Sequence, residues 1–257
     1  MNNILDKKGF ISDMDGVIYH GNKILPGVAE FVNWMIDNDK KFVFLTNSPE
    51  KTPHELSMKL ERMGLKVSAE HFYTSAMATA AFLSSQKPNC TAYVIGEAAL
   101  TKALYDQGIY MNDVNPDYVV VGETRTYNFE KIEKAIELVL KGAKLIGTNP
   151  DITGPTEKGL MPATGSLIAP IEIATGKKAY FVGKPNPLML RHGLNKLDCH
   201  SEEIAFIGDR MDTDIIAGIE SNVDTILVLS GVTAMENIDL FPYRPKYILD
   251  NVGEILK

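Results

Sequence analysis

The 257-residue chain is 45% hydrophobic and carries 33 Asp and Glu against 26 Lys and Arg, a formal charge of -7. This apolar content is ample for a sizeable core and the length exceeds a usual single domain. The acidic balance excludes a nucleic acid polymer or an anionic membrane as partner, since both need a basic face. Two distant cysteines, Cys90 and Cys199, give neither a disulfide framework nor a zinc ribbon. Met1 to Lys8 contains no apolar stretch of the signal-peptide kind, and no later run reaches the roughly 18 apolar residues of a spanning helix, so a cytoplasmic location is expected.

In chain order, Phe10-Ile11 reads as a buried strand running into Asp13-Met14-Asp15-Gly16. A flap around Ile18–Leu25 and a helix over Val28–Asn38 follow, then a strand, Phe42-Val43-Phe44-Leu45, ending at Thr46-Asn47-Ser48. A helix at Pro53–Met63, a short strand at Phe72–Thr74 and an Ala-rich helix at Ala76–Ser84 come next. From about Ser85 to Lys178 the alternation starts afresh, with strands at Ala92–Ile95, Tyr118–Val121 and Lys144–Ile146 and helices at Ala98–Gln107, Phe129–Lys141 and Gly165–Ala174. Tyr180-Phe181-Val182 reads as a core strand leading to Gly183-Lys184-Pro185, and Ile204–Ile207 as another leading to Gly208-Asp209, with Asp214 beyond. Strands at Thr225–Leu229 and Tyr247–Leu249 complete the set.

Motif spacing separates the two parts. Asp13 and Thr46 are 33 positions apart, with no room for an extra domain between them. Thr46 and Lys184 are 138 apart, far more than the roughly 30 of one βαβ unit. We therefore expect an α/β chain with a parallel-sheet core over residues 1–84 and 179–257, and an inserted α/β domain over 85–178. The proline-containing Gln86–Asn89 and the helix stop Thr175–Lys178 read as its linkers.

Ligands of open parallel sheets gather beyond the carboxyl ends of the strands, so the four motifs should meet in one pocket. The collected groups are carboxylates, one hydroxyl, one amide and one ammonium. Crowded carboxylates repel and call for a cation. Oxygen donors such as Asp13, Asp209 and a backbone carbonyl suit Mg²⁺, while Thr, Asn and Lys donors suit phosphate oxygens. Taken singly, each motif has an ordinary reading: Asp-x-Asp-Gly is a turn signal and Thr46-Asn47-Ser48-Pro49 a helix start. Their order, each after an apolar run, favours phosphoryl transfer. The five histidines form no His-Glu-x-x-His frame, and no Gly-x-x-x-x-Gly-Lys-Ser/Thr loop occurs.

These four segments resemble the signature of the haloacid dehalogenase superfamily. Thr148-Asn149-Pro150-Asp151, Pro162-Ala163-Thr164-Gly165 and Phe181–Pro185 resemble its NagD-like phosphatase branch. The likeness runs from about Gly9 to the C-terminus. It implies a Rossmann-like core whose α/β cap is inserted between the second and third motifs. It also implies that Asp13 is the nucleophile forming an aspartyl-phosphate, and that Asp15 is the acid and base. Thr46, Asn47 and Lys184 would hold the phosphoryl group. Mg²⁺ would be held by Asp13, the backbone carbonyl of Asp15 and Asp209, with Asp214 orienting a metal-bound water or Lys184.

The implied reaction is Mg²⁺-dependent hydrolysis of a small phosphomonoester, such as a sugar phosphate, a nucleotide, phosphoglycolate or an aryl phosphate. Other readings on this scaffold are dehalogenation, phosphotransfer and a catalytically idle phosphometabolite-binding protein. Asp15 with Gly16 favours phosphate chemistry over dehalogenation, the retention of Asp13 and Asp15 disfavours an idle protein, and the superfamily's phosphomutases resemble this chain less because their cap lies between the first two motifs, where there is no room here. The cap would close over the phosphate and set specificity, and Asn149 and Asp151 lie either in a loop facing the substrate or in a plain turn. Oligomeric state is not legible in these residues; a cap-mediated homodimer is what the resemblance suggests.

Overall fold

A computed structural model describes residues 4–156 and 159–257. The chain begins with β1 (Gly9–Ser12), the hairpin β2 (Tyr19–His20) and β3 (Lys23–Ile24), α1 (Val28–Asp37), β4 (Lys41–Thr46), α2 (Pro53–Arg62) and β5 (Phe72–Thr74). It continues through α3 (Ser75–Gln86), β6 (Thr91–Ile95), α4 (Ala98–Asp106), β7 (Tyr110–Met111), β8 (Tyr118–Val121), α5 (Phe129–Leu140) and β9 (Lys144–Gly147). Next come β10 (Thr153–Thr156), β11 (Gly159–Pro162), α6 (Thr164–Thr175), β12 (Tyr180–Phe181) and α7 (Pro187–Leu197). The last elements are β13 (Ile204–Gly208), α8 (Ile216–Glu220), β14 (Asp224–Val228) and β15 (Tyr247–Leu249).

The chain divides into two compact units, one of residues 1–46, 53–73 and 184–257, the other of residues 47–52 and 74–183. The first is built on a six-stranded sheet of order β15-β14-β13-β1-β4-β5. Its central strands are continuous apolar runs because both faces are covered: β1 and β13 are buried at every position. Phe10, Phe31, Phe44 and Phe72 fill the space under α1 and α2, and Phe10 meets Phe31 edge-on at 5.3 Å. Each such ring contributes about 2–3 kcal/mol by leaving water.

Strand register sets up the site. Ser12 stands opposite Ile207 on one side and Phe44 on the other, all in parallel pairing. Asp13, Asp209 and Thr46 therefore fall one or two residues beyond a common rung, at the carboxyl edge of the sheet.

The second unit has its own parallel sheet, of order β12-β9-β8-β6-β7, and the antiparallel hairpin β10–β11. Ile95, Val119, Val121, Leu138 and Ile171 form its core with α5 and α6. The helices and strands expected between Ala92 and Ala174 are found within a residue of their ends.

One expectation is corrected. Tyr180-Phe181 is not a core strand: β12 pairs with β9 at the edge of the second sheet, and Tyr180 is 44% exposed. A three-residue apolar run carries too little information to say which sheet it joins. The borders of the two compact units fall at 46/47, 52/53, 73/74 and 183/184. The Ala-rich α3 packs on α4 and belongs to the second unit; Gln86 is its last residue, and residues 87–89 turn inside that unit. Gly176 does end α6, in the left-handed conformation at φ 65°.

Candidate active site

Asp13 follows β1 directly, and its backbone N–H donates to the Ile207 carbonyl at 2.8 Å, which extends the ladder one residue past the strand. The chain then turns at Gly16, whose φ of +80° suits glycine. A Cβ there would also lie 2.5 Å from Asp209 Oδ2. Asp15 is exposed, and its Oδ2 accepts a hydrogen bond from the Tyr19 hydroxyl at 3.1 Å.

Asp209 follows β13 and is 1% exposed. Its Oδ2 accepts from the Val232 N–H at 2.7 Å, whereas its Oδ1 has no hydrogen-bond partner among the described residues. Gly231 makes this approach possible, since a Cβ there would lie 1.9 Å from Asp209 Oδ2. Sequence reading missed Gly231; a glycine after the apolar β14 in Leu229-Ser230-Gly231 was the available signal. Ser230 Oγ donates to the Gly16 carbonyl at 2.8 Å, tying this loop to the first motif.

Lys184 is the buried cation of the group. Its Nζ lies 2.6 Å from Asp13 Oδ1 and 2.8 Å from Asp214 Oδ1. Asp214 is fully buried, and its Oδ2 accepts from the Arg210 N–H at 3.1 Å. Asp13, Asp209 and Asp214 each offer an oxygen, all within 4.8 Å of one another.

The electrostatics follow from that crowding. Burial pushes Asp13 well above the usual carboxylate range; the Lys184 charge opposes this, and Asp214 and Asp209 add to it. Asp209 is pushed up to about 7, by burial first and then by Asp214. For Lys184, burial works against the ammonium, but Asp13 and Asp214 outweigh it and hold the proton more tightly than usual. Three carboxylates share one ammonium, so the cluster stays electron-rich. A buried carboxylate oxygen without a donor, in an all-oxygen set, fits Mg²⁺.

The structure thus brings together Asp13, Lys184, Asp209 and Asp214, with Asp15 two residues beyond Asp13 and Thr46 buried at the end of β4. Asn47 begins the second unit. Its Nδ2 donates to Asp151 Oδ2 at 2.8 Å, and Asn149 Nδ2 donates to the same oxygen at 2.8 Å and to Glu123 Oε1 at 3.1 Å.

A Rossmann-like parallel sheet whose carboxyl edge gathers three carboxylates around a buried lysine defines a class of phosphoryl-transfer hydrolases. Comparison with known proteins gives the family. The model described as haloacid dehalogenase-like hydrolase matches residues 10–110, and a second, HAD-hydrolase-like model matches residues 181–255. The ribonucleotide monophosphatase NagD of Escherichia coli K12 is 47% identical, over 96% of this chain and 98% of its own. The dihydroxyacetone phosphatase of Corynebacterium glutamicum is 46% identical, over 96% of this chain and 90% of its own. Among solved structures, NagD from E. coli K-12 superposes with a TM-score of 0.92 at 46% identity, covering 96% of this chain and 98% of that one. The chain belongs to the haloacid dehalogenase superfamily, in its NagD-like phosphatase branch. It is a phosphatase of small phosphomonoesters that works through this Asp cluster with Mg²⁺.

No helix among the described residues is long and apolar enough to cross a membrane.

Proposed function

We propose that Asp13 attacks the phosphorus of a small phosphomonoester in line, forming an aspartyl-phosphate that water then hydrolyses. In the first half-reaction a bond forms from the Asp13 carboxylate to phosphorus as the ester P–O bond breaks. The departing oxygen keeps the electron pair and takes a proton from Asp15. In the second, Asp15 accepts a proton from the attacking water, and the phosphate leaves with Asp13 restored. Lys184, Thr46 and Asn47 hold the equatorial oxygens, where positioning and charge do most of the work. Asp13, the backbone carbonyl of Asp15 and Asp209 would hold Mg²⁺, which when bound would supply positive charge to offset the phosphate and the carboxylates. Asp214 keeps Lys184 charged and aimed at Asp13.

One observation carries this reading: Lys184 Nζ lies 2.6 Å from Asp13 Oδ1 and 2.8 Å from Asp214 Oδ1 in a buried setting. A nucleophilic carboxylate bonded by an ammonium is oriented, and the ammonium opposes the upward shift that burial imposes on it.

Relatives carry the names dihydroxyacetone phosphatase, ribonucleotide monophosphatase, acid sugar phosphatase and 5'-nucleotidase. A solved neighbour from Thermotoga maritima is a 4-nitrophenylphosphatase. We accordingly propose that the substrate of this chain lies among sugar phosphates, nucleotides, phosphoglycolate and aryl phosphates, and that the protein works as a cytoplasmic enzyme that pairs through the cap. A panel of these esters assayed for phosphate release with Mg²⁺ tests the reading. Release from at least one, abolished by EDTA and by Asp13→Asn, is the expected result; release that survives both contradicts it.

A further inference from the structure

Tyr19 opens β2, on the flap that follows Asp15, yet it is only 3% exposed. Its backbone carbonyl accepts from the Gly16 N–H at 2.9 Å, which closes the turn that directly follows Asp15. Its ring packs into the core beneath the flap, and Lys59 of α2 places its Nζ 3.5 Å from the ring centroid. A cation at that distance over a phenol face holds the ring in place. The hydroxyl of this anchored ring then reaches Asp15 Oδ2 at 3.1 Å.

Asp15 itself is exposed. A surface carboxyl samples several rotamers, and delivering a proton along one line to a departing oxygen requires that it stop doing so. We propose that Tyr19 is the positioning residue for Asp15: its O–H donates to Oδ2, which makes Oδ2 the acceptor oxygen of the carboxyl group. That leaves Oδ1 as the oxygen from which Asp15 would deliver a proton to the leaving group. When the P–O bond breaks, the leaving oxygen takes that proton along with its electron pair. Asp15 is left as a carboxylate, which the Tyr19 hydroxyl continues to bond. This inference rests on the acid role given to Asp15 above.

Tyr19→Phe keeps the ring, its packing and the Lys59 contact, and removes only the hydroxyl. The test is kcat/KM for this variant and the parent, with Mg²⁺, on 4-nitrophenyl phosphate, phenyl phosphate and glycerol phosphate. An alkoxide leaving group needs the proton and nitrophenolate scarcely does. The expected result is a loss of about ten-fold on glycerol phosphate and less than about two-fold on 4-nitrophenyl phosphate, with phenyl phosphate between. A uniform loss, or none, overturns the proposal. The ratio between substrates stays readable even if the variant is less stable, because lost folded protein lowers every value equally.

Asp15→Asn, measured alongside, separates the two levels of the argument. If it shows no dependence on the leaving group, the acid role fails and the Tyr19 proposal falls with it. If it shows a steep dependence and Tyr19→Phe shows none, only the Tyr19 proposal fails. With both standing, Tyr19→Phe added to Asp15→Asn should change the substrate ratios by less than about two-fold; a further ten-fold change would mean Tyr19 acts independently of Asp15.

Discussion

Lys184 and Asp13 form an ion pair of 2.6 Å with the lysine side chain 3% exposed, and the same ammonium reaches Asp214 at 2.8 Å. The pair joins residues 171 positions apart in sequence, one at the end of β1 and the other where the chain re-enters the first unit. Removing the ammonium leaves Asp13 and Asp214 buried and facing each other. Lys184→Met should destabilise the fold by about 3 kcal/mol, as breaking a buried pair from one side does. It should also lower kcat/KM by at least about a hundred-fold. Chemical denaturation and steady-state kinetics check both; a variant with near-normal turnover would remove Lys184 from the chemistry.

The raised carboxyl groups make the metal-free protein pH-sensitive in a definite direction. Asp209 titrates near 7 in the fold against about 4 in the unfolded chain. Between those values the folded chain holds a proton that the unfolded chain has released, so stability falls as pH rises from about 4 to 7 and levels off above. Asp13 shifts in the same direction and adds to the effect. Mg²⁺ competes with those protons. The melting temperature gained on replacing EDTA with MgCl₂ should be larger at pH 8 than at pH 5; an equal or smaller gain at pH 8 contradicts the carboxylate assignment.

Gly231 tests the cradle of Asp209. A methyl group there would overlap Asp209 Oδ2 at 1.9 Å and its Cγ at 2.5 Å, so the carboxylate must move. Gly231→Ala should raise the half-saturating Mg²⁺ concentration by about 10–100-fold, as displacement of a ligand's support does. A Mg²⁺ titration of turnover measures it. An unchanged half-saturation would show that Asp209 can shift without consequence for the metal.

Much of this was legible in the chain because buried parallel strands write themselves as continuous apolar runs, and the residue after such a run sits at the ligand edge. Phe10-Ile11 before Asp13 and Ile204–Ile207 before Asp209 are both of this kind, and both acids reach the cluster. Tyr180-Phe181 misled because a two-residue edge strand has one partner and little burial, so its apolar pattern does not distinguish one sheet from another. The placement of α3 was hidden for a related reason: its alanines allow close approach on several sides, and only the packing on α4 shows which side is used. Gly231 and Tyr19 escaped because their roles depend on backbone and side-chain approach across the fold rather than on local pattern. The helix α7 was also passed over, although Asn186-Pro187 is a cap followed by a first-turn proline, and the Asn186 side chain does accept from Leu188 N.

Covalent catalysis by Asp13 is the centre of the account, and acid quenching during turnover tests it most directly. Protein stopped while hydrolysing 4-nitrophenyl phosphate, reduced with borohydride and mapped by mass spectrometry, should carry homoserine at position 13, the product of reducing an acyl phosphate. Homoserine at another acidic position, or an unmodified Asp13 in enzyme quenched at full turnover with phosphoenzyme trapped elsewhere, would contradict it.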